Sequence, residues 1–185
     1  LRALLRQDPD VMLVGEIRDQ ETADIATHAA LTGHLVLSTL HTNDAATALT
    51  RLVDLGIEPY LVASTVEAVL AQRLVRRICE GCKEPRALTP EEERAFAATG
   101  AHLSQVWQGR GCPECRGTGY RGRTGIFELL VMEESLRSAV QQNASASHLE
   151  TLGTDQGMRL LREDGIRIVQ EGVTTPEEVF RVANI

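Results

Sequence analysis

Val11-Met12-Leu13-Val14 is an unbroken apolar run, and Gly15-Glu16 follows it directly. Such a run, short and without polar alternation, is typical of a strand covered on both faces, as in a parallel sheet. A second run over residues 35–40 has a similar character and leads into His41. The residues between the runs are numerous enough for the crossover of a parallel pair, which needs about a dozen or more. The sequence therefore predicts a βαβ unit whose strands end in an acid and an imidazole.

Helix and turn signals extend this unit along the chain. The crossover predicts a helix from about Gln20 to Leu31, with Gly33 as its C-terminal cap. Residues 1–7 predict the end of an earlier helix, which Pro9 terminates. Three further elements are predicted before the cysteines: a helix capped by Asn43 or Asp44 and reaching Leu55, a helix from Pro59 to about Arg73, and a short strand over 74–78. A helix opened by a capping box at Thr89-Pro90-Glu91-Glu92 and a strand over 125–132 follow. The chain then continues in C-terminal helices, and a second capping box at Thr175-Pro176-Glu177-Glu178 opens the final one.

Composition and charge exclude several classes of protein. The 185 residues are 43% hydrophobic and 24% charged, which is typical of a globular domain. No apolar run approaches the roughly 20 residues of a transmembrane helix. The net charge of −7 argues against nucleic acid as the main partner, because phosphate binding needs a basic surface. Two arginine clusters, within residues 73–77 and 110–123, are either solvated charge or a docking patch for an acidic partner or lipid headgroups.

Glu16 and His41 are the candidate catalytic residues. Ligands of open α/β sheets bind outside the carboxyl ends of the strands, so parallel strands would place both side chains at one edge. There a carboxylate can orient or deprotonate water, and an imidazole can sense a phosphate. Taken singly, Glu16 also fits a helix N-terminal acid, and His41 a capping or packing histidine. Arg18 and Asp19 also fit a surface ion pair.

All four cysteines lie in two C-x-x-C pairs, Cys79 with Cys82 and Cys112 with Cys115. Two such pairs can complete a tetrahedron of thiolates around Zn²⁺, and four protein ligands make the metal structural. The 29-residue spacer is longer than that of a minimal zinc ribbon, but it holds a short predicted helix. The alternatives are redox-active dithiols or buried, inert thiols. A thioredoxin-type motif would be a single pair at a helix start, so the spacing favours zinc.

Longer motifs resemble one family, the ATPases of bacterial type II secretion and type IV pilus assembly. Residues 6–19 resemble the family's atypical Walker B box, with Gly15 where the usual Asp would fall, and residues 32–43 resemble its histidine box. Residues 71–79 and 122–130 flank the cysteines as they do in these ATPases. The resemblance covers essentially the whole chain. The two C-x-x-C pairs separate it from the pilus retraction ATPases, which lack the zinc insert.

The resemblance implies a RecA-like α/β core, ATP hydrolysis and a ring of six subunits. It implies that Glu16 is the catalytic or water-positioning acid and that His41 contacts or senses the γ-phosphate. Arg18 would support the loop together with Asp19. Zn would be structural, and ATP and Mg would act in the full-length enzyme. No G-x-x-x-x-G-K-[ST] motif occurs in the chain, which starts at Leu1 without the features of a signal peptide. We therefore expect a P-loop upstream, and a fragment that is inactive alone.

We expect three parts along the chain. Residues 1–78 would be the C-terminal part of the RecA-like core, residues 79–123 the tetracysteine zinc module, and residues 124–185 a strand with a C-terminal helical subdomain. The resemblance implies partners in a homo-hexamer, an inner-membrane platform protein and a cytoplasmic adaptor, with no transmembrane segment. It implies a cytoplasmic location, peripheral to the inner membrane. Two alternatives remain: a stand-alone zinc-stabilised interaction module and a thiol redox protein.

Overall fold

The computed structural model describes residues 9–183, which form two compact units of mixed α/β structure. The first unit consists of the chain up to Ala71 together with Leu129–Met158. The second consists of Gln72–Glu128 together with the chain from Arg159 onward. The mixed α/β class is confirmed, whereas the three-part division drawn from the sequence stays a prediction. The helix end expected over residues 1–7 lies outside the described residues.

Six strands and eight helices are found in the described residues. In chain order they are β1 Val11–Val14, α1 Gln20–Leu31, β2 Leu35–Ser38, α2 Ala45–Asp54, α3 Pro59–Thr65, β3 Ala68–Ile78, β4 Lys83–Arg86, α4 Pro90–Ala98, β5 Val106–Gly109, β6 Tyr120–Val131, α5 Glu134–Gln141, α6 Ala146–Asp155, α7 Leu161–Gln170 and α8 Pro176–Val182. Two short 3-10 turns, Glu80–Cys82 and Pro113–Cys115, lie at the cysteine pairs.

The predicted βαβ unit is confirmed. β1 and β2 pair in parallel over four residues, with α1 as the crossover. α1 begins where the Thr22 amide donates to Asp19 Oδ1 over 2.8 Å, which satisfies one of the helix's free amides. It ends at Leu31 with Thr32 as the C-cap, and Gly33 follows with a φ of +98°, a conformation that glycine adopts without steric strain.

Only one face of β1 is buried by the described residues. Met12 and Val14 point into the core, whereas Val11 and Leu13 are 57% and 78% exposed. Their partners on β2 are also about half exposed. The expectation of a strand covered on both faces is therefore wrong for residues 9–183. An apolar run does not itself reveal which surface covers it.

The helix predicted from Pro59 to Arg73 is wrong in its second half. α3 ends at Thr65, and β3 begins at Ala68, six residues before the predicted strand. The run is rich in alanine, valine and leucine, which fit both a helix and a strand. Pairing with β6 makes it a strand. The Arg137 guanidinium of α5 also donates to carbonyl groups at the end of α3, those of Ala63 and Val66.

The cysteine region contains an antiparallel strand pair that the sequence did not predict. β4 and β5 pair antiparallel, from Lys83 opposite Gly109 to Arg86 opposite Val106. Between them lies α4, whose predicted capping box is confirmed: the Glu92 amide donates to the Thr89 side chain, and the Thr89 amide donates to the Glu92 carboxylate.

The second predicted capping box, at residues 175–178, is wrong, although α8 does begin at Pro176. The Thr175 hydroxyl pairs with the Tyr120 hydroxyl at 2.9 Å and forms no cap. The Glu178 carboxylate instead accepts hydrogen bonds from Arg76 and Arg181. Tyr120 and Arg76, both distant in sequence, thus contact the two side chains that the local motif would have used.

Each unit has its own apolar core. The largest fully buried side chains of the first unit are Leu49, Ile57, Val62, Leu130, Leu136 and Leu149, and those of the second include Val75, Phe96, Val106, Ile126 and Val169. The Phe96 ring lies against that of Phe180, with centroids 5.5 Å apart. Within residues 9–183, no helix has both the length and the apolar character needed to cross a bilayer.

Candidate active site and metal centre

Glu16 and His41 lie on two similar loops that leave the same edge of the β1–β2 pair. Each residue precedes by three positions an aspartate that caps the next helix, Asp19 for α1 and Asp44 for α2. The Asp44 carboxylate accepts from the Thr47 amide at 2.7 Å, which settles the choice left open between Asn43 and Asp44. Because the strands are parallel, the two loops emerge side by side.

The structure brings the three predicted catalytic side chains together. Glu16 Oε2 lies 2.6 Å from Arg18 Nε and 3.0 Å from His41 Nε2. The hydrogen bonds from Arg18 and then His41 lower the pKa of Glu16, so this carboxyl is ionised at neutral pH. Glu16 Oε1 has no hydrogen-bond partner among residues 9–183. One oxygen is thus held by two donors, and the other remains available.

The cluster is open to water. The side chain of Glu16 is 36% exposed, and those of Arg18 and His41 are 68% and 80% exposed. Ion pairs at such exposure contribute little to stability, because water screens them. Asp19 is occupied by its helix cap, so the alternative of an Arg18–Asp19 surface pair does not describe the structure. The roles of Glu16, His41 and Arg18 in a reaction stay predictions.

Thr39, the first residue after β2, connects the two loops and was missed in the sequence. Its hydroxyl donates to the carbonyl oxygen of Gly15 at 2.7 Å. Its own carbonyl oxygen accepts from the Ile17 amide at 2.9 Å. A β-branched hydroxyl residue at the end of a strand was the available signal, but strand preference alone explains a threonine there.

The four cysteine sulfurs converge on one point. Sγ–Sγ distances are 3.8 Å for Cys79–Cys112, 3.8 Å for Cys82–Cys115 and 3.7 Å for Cys112–Cys115, and all four sulfurs lie within 4.8 Å of one another. A tetrahedron of sulfurs at the usual zinc–sulfur distance of about 2.3 Å has edges of about 3.8 Å. A disulfide would need about 2.05 Å, so the cysteines are free thiols spaced as metal ligands.

Local backbone structure explains this convergence. The β4–β5 strand pair places Cys82 opposite the chain that leads to Cys112, and the Arg110 amide donates to the Cys82 carbonyl at 3.0 Å. The second cysteine pair, Cys112 with Cys115, lies close to the first because the Gly109 and Gly119 backbones on either side of it are in contact. A Cβ atom on Gly109 would lie 2.0 Å from the Gly119 carbonyl oxygen, so this approach needs glycine.

The thiols differ in acidity when no metal is bound. Burial raises the pKa of Cys79 and raises that of Cys82 to about 12, although the Gly111 amide donates to the Cys82 sulfur. Burial acts in the same sense on Cys115, but the amides of Cys112 and Gly119 donate to its sulfur and lower its pKa to about 6. A cation that binds all four must displace the remaining protons, so affinity should fall with falling pH.

The family profile described as Type II/IV secretion system protein matches residues 1–181. The chain belongs to that family. Curated relatives are similar to this chain over nearly all of its length. The type II secretion system protein E of Aeromonas hydrophila is 54% identical over 98% of the chain, and the type II secretion system ATPase E of Vibrio cholerae is 50% identical over 98%. The type IV pilus assembly ATPase PilB of Thermus thermophilus is 51% identical over 97%.

This chain spans 36%, 36% and 20%, respectively, of the length of those three relatives. Among solved structures, it is similar to the ATPase DotB of Legionella pneumophila, with a TM-score of 0.64 and 22% identity, covering 98% of this chain and 40% of that one. The DotB of Yersinia pseudotuberculosis gives a TM-score of 0.65 at 19% identity, covering 98% and 39%. At this identity the similarity concerns the fold alone.

Proposed function

We propose that this chain is part of an ATPase that hydrolyses ATP to drive type II protein secretion or type IV pilus assembly. Family membership and the relatives named as ATPases support the proposal. The observation that carries it is the Glu16 carboxylate, held by Arg18 and His41 at the carboxyl ends of two parallel strands.

In this proposal Glu16 orients or deprotonates the attacking water. Oε2 is held by Arg18 and His41, so Oε1 is the oxygen that would accept the water's hydrogen. His41 would contact the γ-phosphate, and Arg18 would fix the orientation of the carboxylate. Phosphoryl transfer depends mainly on such positioning and on charge stabilisation.

ATP and Mg²⁺ would be bound with a phosphate loop elsewhere in a longer protein, and we assign no residue of this chain to either. The length of the relatives, about three times that of the chain or more, supports this part of the proposal. In it the chain is the C-terminal part of a RecA-like motor that assembles as a ring of six and is inactive alone. Residues 1–78, 79–123 and 124–185 would be its core fragment, zinc module and helical subdomain.

We assign a structural Zn²⁺ to Cys79, Cys82, Cys112 and Cys115. The 3.7–3.8 Å sulfur spacing and the backbone amides that donate to the sulfurs support a four-thiolate site. When bound, the metal would link two turns of the chain that have little apolar core of their own. Lys83, directly after Cys82, would offset part of the negative charge of the zinc–cysteine centre.

Removal of one ligand tests the metal assignment. We expect Cys112→Ser to release one Zn²⁺ per chain and to expose amides of residues 79–123 to hydrogen exchange, because metal binding is worth on the order of 10–16 kcal/mol in small zinc peptides. Metal analysis and exchange mass spectrometry measure both. Glu114→Gln, beside the same pair and 61% exposed, should retain the metal. A metal-free wild-type protein that cycles between dithiol and disulfide would support the redox alternative instead.

The proposed partners are the other subunits of a hexamer, an inner-membrane platform protein and a cytoplasmic adaptor. The proposed location is the cytoplasmic face of the bacterial inner membrane. The names of the relatives support a place in secretion or pilus machinery. The alternative of a stand-alone zinc-stabilised interaction module is not favoured, because the family match extends over residues 1–181.

Glu16→Gln in the full-length protein tests the proposed reaction. We expect turnover to fall by about 100-fold or more while ATP binding is retained, because the amide keeps the shape of the side chain but loses its charge and basicity. Steady-state hydrolysis and nucleotide titration measure the two effects. Glu58→Gln is the matched control, since Glu58 is an exposed acid of the same unit whose side chain forms no cap hydrogen bond. Normal hydrolysis by Glu16→Gln would refute the assignment.

A further inference from the structure

Two hydrogen bonds from one residue lie on either side of Glu16. The Thr39 hydroxyl donates to the carbonyl oxygen of Gly15 at 2.7 Å, and the Ile17 amide donates to the Thr39 carbonyl oxygen at 2.9 Å. The backbone on both sides of Glu16 is therefore hydrogen-bonded to one residue, Thr39, which directly follows β2. Thr39 lies beyond the last ladder pair, Val14 with Ser38, so ordinary strand pairing does not supply these two hydrogen bonds.

Thr39 also positions the start of the loop that carries His41. His41 follows Thr39 by two positions, and its Nε2 lies 3.0 Å from Glu16 Oε2. Thr39 is thus the shared anchor of both loops. Its side chain suits this use, because branching at Cβ restricts χ1 and holds the hydroxyl in one direction.

We propose that Thr39 is a positioning residue that holds the Glu16 carboxylate in register with His41. The inference rests on the proposed ATPase function, since it concerns the same site. Thr39 itself contacts neither the carboxylate nor the imidazole through the bonds described, and it acts through the Gly15 carbonyl and the Ile17 amide.

The side-chain bond can be removed without loss of the fold. A single neutral hydrogen bond contributes little net stability, and Thr39 is exposed, so water can replace the lost partner. The Ile17 bond uses the main chain of Thr39 and survives substitution. Without the hydroxyl, the Gly15 carbonyl is free to rotate, and Glu16 can move relative to His41. Misplacement of a reacting group by about 1 Å can cost about 100-fold in rate.

The test compares Thr39→Val and Thr39→Ala with Thr39→Ser in the full-length protein. We expect the two variants without a hydroxyl to lose about 10- to 100-fold in kcat, with KM for ATP changed by less than about twofold. Thr39→Ser should restore most of the rate. Thr65→Val is the matched control, because Thr65 also donates to a carbonyl over 2.7 Å, to Leu61 within α3, and it should keep normal kcat.

Glu16→Gln, assayed in parallel, separates the two ideas. Loss of turnover in Glu16→Gln with normal kcat in both folded hydroxyl-less variants overturns the role of Thr39 and leaves the proposed function standing. An equal loss in Thr39→Ser, or a rise in KM at constant kcat, also overturns it. Normal hydrolysis by Glu16→Gln overturns the proposed function, and the Thr39 inference with it. Melting curves for every variant show which of them are folded; if neither hydroxyl-less variant folds, Thr39 is structural and the inference is overturned.

Discussion

Glu16 and Glu178 are both carboxylates held by two basic side chains, yet they differ in exposure. Glu16 contacts Arg18 and His41, and its side chain is 36% exposed. Glu178 contacts Arg76 and Arg181, and its side chain is 2% exposed. The main-chain amide of Arg76 also donates to Glu178, at 2.8 Å.

The difference shows how one arrangement of charges can serve two purposes. Both oxygens of Glu178 are occupied, and its position ties β3 to α8. Burial alone would raise the pKa of Glu178, but hydrogen bonds from Arg181 and Arg76 lower it to about 2. Glu16 keeps one oxygen without a partner in the described chain. A buried, saturated carboxylate stabilises a fold, whereas an open, half-occupied one can take part in chemistry.

Removing the buried charge should have the largest effect on stability. We expect Glu178→Gln to lower the free energy of unfolding by about 2–3 kcal/mol, because it leaves two arginines without their carboxylate; their half exposure keeps the cost below that of a fully buried pair. Denaturant titration measures it. Glu177→Gln, whose side chain is 63% exposed, should cost less than about 1 kcal/mol. Equal losses of stability in the two variants would show that Glu178 contributes no more to the fold than an exposed glutamate.

Acid should weaken the same contact. Because the folded-state pKa of Glu178 is lowered from 4.5 to about 2, its contribution is present above about pH 4.5 and is lost as the pH falls toward 2. We therefore expect the stability difference between wild type and Glu178→Gln to shrink over that range. Denaturant titrations at several pH values measure it, and a constant difference down to pH 2 would rule out this carboxylate as its source.

The smallest effect on stability should come from the exposed carboxylate. We expect Glu16→Gln to leave the free energy of unfolding almost unchanged, because surface ion pairs contribute little and salt screens them. The same titration at low and high salt measures this. A loss as large as that of Glu178→Gln would mean that Glu16 is also a structural residue.

Local signals were enough to predict the elements around the candidate site. The apolar runs and Gly33 indicated a parallel βαβ unit, and the C-x-x-C spacing indicated four converging sulfurs. These features depend on neighbours within a few positions or on a fixed geometry. The loop anchor at Thr39 depends on a partner 24 positions away, and nothing in the local sequence identifies it.

The errors have the same origin. Glu178 fits a capping box, but its carboxylate accepts hydrogen bonds from the amide and guanidinium of Arg76, 102 positions away in the chain. The run after Thr65 fits a helix, but it pairs as a strand with β6. The exposure of Leu13 could not be read from an apolar run, because the run does not specify what covers it. In the first two cases, contacts across long sequence distances override local preference.

The end of α3 has a consequence for the order of events during folding. This seven-residue helix has no side-chain cap at its start, and Arg137 of α5 donates to its terminal carbonyls and pairs with Glu67 at 3.0 Å. Helices this short do not persist alone in water. We therefore expect α3 to become fully stable only when the nascent chain extends beyond residue 137, after the helices that precede it have been synthesised.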